Sequence, residues 1–525
     1  MKKHLFTLLA VIMAFSCQRG GFDVPQQGED EILPPSHEMI VLGEKLEDPY
    51  STVNITRALE SLYPSKAQRI QVDPTDLYVR FLPQNGIQYE YLQSLDVDML
   101  DHPMDYRIIR EGDYYQDPEV PDGDFTWQYS VVPVDFQFPA GIRYEILDRC
   151  YIAEHSPTKA QGIDWDRVER ESYRLTGNAD LLQESVKGER AEPVAPSGRI
   201  AVVDEMYDSE PIGVAGVKVV CNSFVKIAST YTDDQGYYEF RKKYSTNIRY
   251  RLVFKNVKGF GIGVNLILVP ASVSSLGKNA AEGVNVIVDR DSDRKLFERC
   301  VVNNAGYDYF EYCSEKGSRI KTPPSNTRLW ILHNLASSCT AMMQQGVMLE
   351  DSFVADYLGD YVPLVRLLMP DIILGLKDND CSYDAIYSQA VHQLAHASHF
   401  SQAGKEFWGI YAREMLRSVI RSGTVSYGNG EEESSGYIEV AEMWAYYVQN
   451  AIYKNRYPDS DASFGLNRWF FPHIFLYLSE RGFSKASVFA ALTPDVTNRE
   501  VLKERLVSLY PEYRSEIEQV FLRYF

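Results

Sequence analysis

Apolar and polar positions alternate with different periods along the 525-residue chain, and the changes of period mark its parts. After the basic start Met1-Lys2-Lys3-His4, Leu5 to Phe15 is an apolar run broken only by Thr7. A membrane-spanning helix needs about 20 apolar residues, so this run reads as the core of a signal peptide over residues 1–17. Residues 18–45 are rich in Gly, Pro, Gln and acid and read as a flexible tether. From 46 to 188 the periods are mixed. Asn54 to Leu62 predicts a short helix. Asp76–Leu82, Phe125–Pro133 and Ile142–Ile146 predict strands, and Asp164–Thr176, extending toward Val186, predicts a second helix. His102 and His155 stand alone in this mixed α/β stretch and are read as surface or turn residues. No chemistry is assigned to it.

A charged, Pro-containing linker at 187–196 leads into period-two segments over 197–292. These are Gly198–Val203, Pro211–Val220, Thr232–Phe240 and Tyr250–Phe254, and they predict antiparallel strands. Their order, with Thr232-Asp-Asp-Gln-Gly-Tyr-Tyr-Glu-Phe240, resembles the carboxypeptidase regulatory-like (transthyretin-like) β-sandwich. That resemblance implies a spacer or adhesion surface. Asp233 and Gly236 are read as hairpin-turn residues, with Tyr238 and Phe240 pointing inward. Turn chemistry, rather than calcium, accounts for Asp233 and Asp234. From 300 to 525 the period turns helical, with helices expected at Asn326–Gln345, Ala385–Ser401, Lys405–Ser422, Ile438–Lys454, Arg468–Arg481, Arg499–Tyr510 and Glu512–Tyr524. The expected architecture is a multidomain α+β protein: a mixed α/β N-terminal domain, an antiparallel β-sandwich and a mainly α-helical C-terminal domain.

Composition narrows the class. Acidic residues number 73 against 53 basic, a net charge of 20 negative, which argues against a nucleic-acid partner. Ala14-Phe15-Ser16-Cys17 resembles the lipobox of bacterial lipoproteins, although Ala14 and Phe15 depart from its commonest form. The resemblance implies cleavage before Cys17, acylation of its thiol, a bilayer partner and a place in the cell envelope, at the outer membrane on its periplasmic or outer face. Six cysteines remain. Their even number in an exported chain permits disulfides, and Cys300 and Cys313 are close enough in sequence to pair; structural thiols with one or two bridges at most is the reading.

Candidate chemistry concentrates near residue 400. Three of the nine histidines, His392, His396 and His399, fall within eight positions. His392 and His396 are four apart, so on a helix both imidazoles leave one face and can share a Zn²⁺ ion. Another amphipathic helix follows, with Glu439-Val-Ala-Glu442-Met-Trp444-Ala445-Tyr446-Tyr447, whose carboxylates can complete a three-ligand site. Over about 330–455 these segments resemble the gluzincin group of zincin metallopeptidases, in which an HExxH helix supplies two His ligands and a later E-x-[FW]-A helix supplies a Glu. The resemblance implies zinc held by His392, His396 and Glu442, with Glu439 as the fallback ligand. Gln393, however, stands where the family has its general-base Glu. A Gln amide cannot accept and return a proton, and loss of a general base costs about 10²–10⁴-fold in rate. Glu406, Glu439 and His399 are candidate replacement bases. Tyr427, Tyr446 and Tyr447 are candidates to polarise a carbonyl, or else a packed aromatic ring set; His333 and His473 are read as structural. An active peptidase, a zinc-binding pseudoenzyme, a metal-free fold and an accidental spacing all remain open at this point. The expectation carried forward is an envelope lipoprotein with a zinc-binding, metallopeptidase-like domain impaired in proteolysis. The alternative is a non-enzymatic scaffold that binds peptide or glycan at the surface.

Overall fold

A computed structural model describes residues 39–67, 70–121, 124–156, 162–183, 192–206, 210–263, 271–333, 338–347, 370–376, 381–422 and 427–523. The signal peptide, Cys17 and the tether as far as residue 38 lie outside the described residues. The fold is mixed α+β with several antiparallel sheets.

The N-terminal region begins earlier than its composition suggests, because the last part of the expected tether is strand β1 (Val41–Lys45). It pairs antiparallel with β4 (Tyr106–Arg110). Helix α1 (Thr52–Leu62) buries Ile55, Ala58 and Leu59 at helical spacing. It packs against α3 (Trp165–Leu175), whose first turn is capped by the Asp164 carboxylate accepting from the Arg167 backbone N–H. The same region holds an antiparallel sheet in the order β3 (Met99–Leu100), β5 (Gln128–Pro133), β2 (Asp76–Leu82), β6 (Arg143–Cys150), and α2 (Gly86–Ser94), capped by Asn85.

The middle region holds two sheets. One is antiparallel, in the order β10 (Lys226–Tyr231), β9 (Lys218–Ser223), β12 (Ile248–Val253), β14 (Val273–Asn279). The other runs β11 (Tyr237–Glu239), β7 (Ser197–Val202), β15 (Val286–Val288), with β8 (Ile212–Gly213) also on β7. It is not wholly antiparallel as expected, since β15 runs parallel to β7. Period two decides how the first sheet is used. Val219 and Cys221 of β9 and Tyr250 and Leu252 of β12 enter the core shared with β7, whereas Val220 of β9 turns to the N-terminal core. The sheet therefore has a buried neighbour on each face.

The C-terminal region differs from expectation at two points. Helix α4 (Arg294–Ser314) had no helical signature, because Glu298, Arg299, Asn303 and Asn304 are buried among its apolar residues and erase the 3.6-residue stripe. Asn304 accepts from the Ala215 N–H at 3.0 Å and donates to the Gly213 carbonyl at 2.9 Å, and Asn303 donates to the Ala215 carbonyl at 2.8 Å. Those amides satisfy the loop after β8 and bind the helix to the middle region. The expected helix Asn326–Gln345 is instead β16 (Arg328–Leu332) and β17 (Cys339–Thr340), with residues 334–337 outside the described set. Burial of Leu329 and Ile331 in alternation gives β16 period two. These strands join β13 (Gly261–Ile262) and β18 (Ile372–Gly375) in the order β13-β16-β18-β17, parallel except for the antiparallel outer strand β17.

Helix α5 (Tyr383–Ser422) lies against β17 and β18 and packs on α4 and on α6 (Ser435–Arg456). Short helices α7 (His473–Glu480), α8 (Lys485–Ala491), α9 (Arg499–Leu509) and α10 (Arg514–Phe521) close the far side of α6. One continuous apolar core runs from Ile200 of β7 to Phe521 of α10. Cys150, Cys221, Cys300, Cys313, Cys339 and Cys381 are all free. Cys300 and Cys313 lie on the single helix α4, where thirteen residues span about 20 Å, so the pairing their sequence spacing allowed is excluded. No described helix is long and apolar enough to cross a membrane.

Candidate metal centre

Two helices build the site. In α5, Ala390, Ala395 and Ala397 are completely buried, and small residues of this kind allow close helix packing. Trp444 of α6 fixes the approach, its indole N–H donating to the Ala395 carbonyl at 3.1 Å. His392 and His396 leave α5 on one face, and Glu442 leaves α6 opposite them.

The three side chains converge. Nε2 of His392 and Nε2 of His396 are 3.1 Å apart. His392 Nε2 is 3.4 Å from Glu442 Oε2, and His396 Nε2 is 3.2 Å from Glu442 Oε1. A tetrahedral zinc with bonds of about 2.0–2.1 Å to such ligands spaces its donors about 3.3 Å apart. The three contacts are close to that spacing, with each imidazole meeting a different oxygen of Glu442. Glu442 Oε2 is buried with no hydrogen-bond donor, an acceptor that a cation would satisfy. Two imidazole nitrogens and a carboxylate are the borderline donor set that suits zinc.

Electrostatics favour the ligating protonation states. Burial lowers the His396 imidazole below its ordinary range, more than Glu442 raises it, so the ring stays neutral. Burial pushes the Glu442 carboxyl up, but the two imidazoles outweigh it and hold it well below the carboxylate range. The outer contacts are equally directed. His392 Nδ1 is 3.1 Å from Gln449 Oε1, which accepts the Nδ1 proton and leaves Nε2 with its lone pair toward the triad. Tyr411 donates its hydroxyl to Glu442 Oε1 at 2.9 Å. The Tyr446 ring stands 4.4 Å from that of His392, backed by Phe470, and Gly465 makes room for it, since a Cβ there would fall 2.5 Å from the Tyr446 ring.

Other expected residues fall elsewhere. Glu439 is turned away from the triad, its carboxylate accepting from the Arg499 backbone N–H at 3.1 Å and facing the Arg499 side chain at 3.5 Å. Gln393 faces β17, where the Thr340 hydroxyl is shared between its side-chain Oε1 at 2.8 Å and its carbonyl at 3.0 Å. Tyr427 lies beyond Phe470, one ring removed from Tyr446, and Tyr447 bonds Ser479. Glu406 is exposed, whereas His399 is completely buried beside Phe407 and Trp408. His333 pairs with Glu298 on α4 at 3.2 Å, and His473 stacks on Tyr477.

Sequence reasoning did not find Gln449, Tyr411 and Thr340. Gln449 carried a usable signal: it lies seven residues after Glu442, on the same helical face. Tyr411 and Thr340 carried none, because each reaches the site across a chain break in helical geometry or from another element. The triad is sealed from solvent, with His392 at 1% and His396 and Glu442 at 0% exposure. Among the described residues one other set, Asp48, Asp148 and Cys150, brings potential ligand atoms together. There Asp48 already accepts from the Tyr50 N–H at 2.9 Å as an ordinary turn residue. No protein-family model matches the chain, and no curated protein matches it.

Proposed function

We propose that the chain is a cell-envelope lipoprotein, anchored through acylated Cys17, whose C-terminal part is a zincin-like domain that binds one zinc ion through His392, His396 and Glu442 and is impaired in proteolysis. The observation that carries the metal assignment is the convergence of the two imidazole nitrogens, 3.1 Å apart, on the Glu442 carboxylate, whose two oxygens lie 3.2 and 3.4 Å from them and whose Oε2 has no hydrogen-bond donor.

Zinc, when bound, would supply a Lewis acid and an acidified water at the fourth position. The chain's own residues limit the use of that chemistry. Gln449 sets the His392 tautomer, Tyr411 holds the Glu442 carboxylate, and Gln393 presents a neutral amide pinned by Thr340. That amide can orient a hydrogen-bond partner but cannot carry a proton from water to a leaving amine. Peptide hydrolysis lacks its base.

Metal analysis of the purified protein is expected to give one zinc per chain, with His396→Ala giving none; a metal-free wild type would refute the ligand assignment. Thr340 can donate to a carboxylate at position 393 as it does to the amide, so Gln393→Glu is expected to gain peptidase activity of about 10²–10⁴-fold over wild type. Strong wild-type hydrolysis of peptides would refute the impairment. Cys17→Ser is expected to abolish incorporation of labelled fatty acid.

Complete burial of the triad favours a second reading, a scaffold lipoprotein in which zinc only ties α5 to α6. Under it, chelation lowers the melting temperature and Gln393→Glu gains no activity.

A further inference from the structure

Beside the triad, four polar atoms are completely buried with no hydrogen-bond partner: His396 Nδ1, both ring nitrogens of His399, and Trp408 Nε1. They belong to neighbouring rings. The Trp408 ring is 5.6 Å from that of His396 and 5.9 Å from that of His399. His396 and His399 are one turn apart on the first half of α5, and the chain turn at Gly404 brings Trp408 back against them. Each orphaned buried donor or acceptor costs about 1–3 kcal/mol, so a cluster of four requires a physical reason.

Counting donors supplies one, given the zinc reading on which this inference rests. A metal on His396 Nε2 leaves its proton on Nδ1, so His396 becomes a donor toward this cluster. The Trp408 indole can only donate. His399, completely buried beside the Phe407 and Trp408 rings, offers one donor and one acceptor as a neutral imidazole. Three donors therefore face one acceptor, and rotating the rings cannot balance them. One water molecule meets three of the four atoms: its two lone pairs take the His396 and Trp408 N–H groups, and it donates to the free nitrogen of His399, leaving the His399 N–H as the one donor unmet. Three such bonds are the usual complement of a buried water.

We infer that His396, His399 and Trp408 enclose a site for one buried water, and that through it His399 is a positioning residue for the metal ligand His396. The imidazole of His396 is the one ligand whose second nitrogen has no protein partner, whereas His392 has Gln449 and Glu442 has Tyr411. His399 completes the pattern by way of water. The chemistry at His399 is therefore neither base catalysis nor ligation but control of a tautomer.

The test compares His399→Leu with His399→Asn in the full chain. Leu matches the volume without polar atoms, and Asn restores one donor and one acceptor. The readouts are zinc affinity by chelator competition, the visible spectrum of the cobalt(II) form and the melting of the metal-free protein. His399→Leu is expected to weaken zinc by about 10–100-fold with one site retained and a perturbed cobalt spectrum, and His399→Asn to stay within about threefold of wild type. The metal-free melting temperature of His399→Leu is expected to match or exceed wild type, since two orphaned nitrogens are removed. Unchanged affinity in His399→Leu, equal losses in both variants, or a loss that tracks lowered metal-free stability would each overturn the positioning role while leaving the triad standing. A wild type that takes up no zinc would instead overturn the metal reading itself.

Discussion

Glu439 and Glu442 stand one turn apart on α6 and have different surroundings. Glu442 meets two imidazoles; Glu439 meets Arg499, and burial pushes its carboxyl up to about 7 against the pull of that guanidinium. Glu442→Gln is expected to lose more zinc affinity than the about 10–100-fold typical of outer partners, and Glu439→Gln to lose almost none, both measured by chelator competition. The reverse order would make Glu439 the ligand. At this scale the sequence was legible where spacing on one helix decides geometry: His392 with His396, and a carboxylate a fixed distance along the next helix. It was not legible where a contact joins distant elements. Thr340 meets Gln393 across 53 residues and Tyr411 meets Glu442 across 31, and neither separation has any period to read. His102 was misjudged for a related reason. It stands alone in sequence, yet it is 2% exposed because Arg251 closes over it from another region.

The elements were read best where punctuation agreed with period. The two helices expected on either side of Gly404 are the two halves of α5, divided at that residue by φ 78 and ψ 179. Only glycine holds this conformation at low cost, and a Cβ at Gly404 would touch nothing within 4 Å. Gly404→Ala is therefore a purely backbone change, expected to destabilise by about 1–3 kcal/mol, seen as a lower denaturant midpoint at constant slope. A neutral result would mean that the break is dispensable. Short apolar segments were read worst. Thr327 to Leu332 satisfies either period over so few residues, and only the pairing partners β13 and β18, far away in sequence, select the strand.

Across the whole molecule, the N-terminal region meets the rest through a seam with charges sorted by side. Glu90, Asp98, Glu111, Asp113, Glu154 and Glu169 face Arg328, Lys218, Arg249, Arg299 and Lys226. At its centre Arg251 donates to His102 Nε2 at 3.0 Å, which requires that nitrogen to be unprotonated, and His102 Nδ1 donates to Asp101 at 2.8 Å. Burial, and then the charge of Arg251, hold the imidazole below its ordinary value of 6.5, with Asp101 opposing and Arg249 adding to the repulsion. A lowered folded value favours the neutral ring. The stabilisation is thus present above 6.5 and is lost as pH falls below it toward the folded value. Buried Glu298, pushed up to about 7, shifts stability the opposite way, so the comparison must be between variants. Wild type is expected to lose more unfolding free energy than His102→Gln between about pH 7.5 and pH 5; parallel losses would exclude His102 as the cause. The acidic surplus was visible in composition, but not that six of the acids face five cations across one internal boundary.

The strands of the middle region and the helices of the candidate metal site have no separate interiors, since Ile200, Tyr250, Phe310, His392's neighbours on α5 and Phe521 lie in one apolar cluster. Calorimetry is expected to record a single heat-absorption peak for this half of the chain, and two resolved peaks would contradict it. Coupling of that kind makes an ion at the junction of α5 and α6 a thermometer for the entire assembly: saturating it a hundredfold above its dissociation constant adds about 2.7 kcal/mol to strands that never touch it. Metal starvation would then be registered by proteases as a loosened β-sheet, long before any question of catalysis arises.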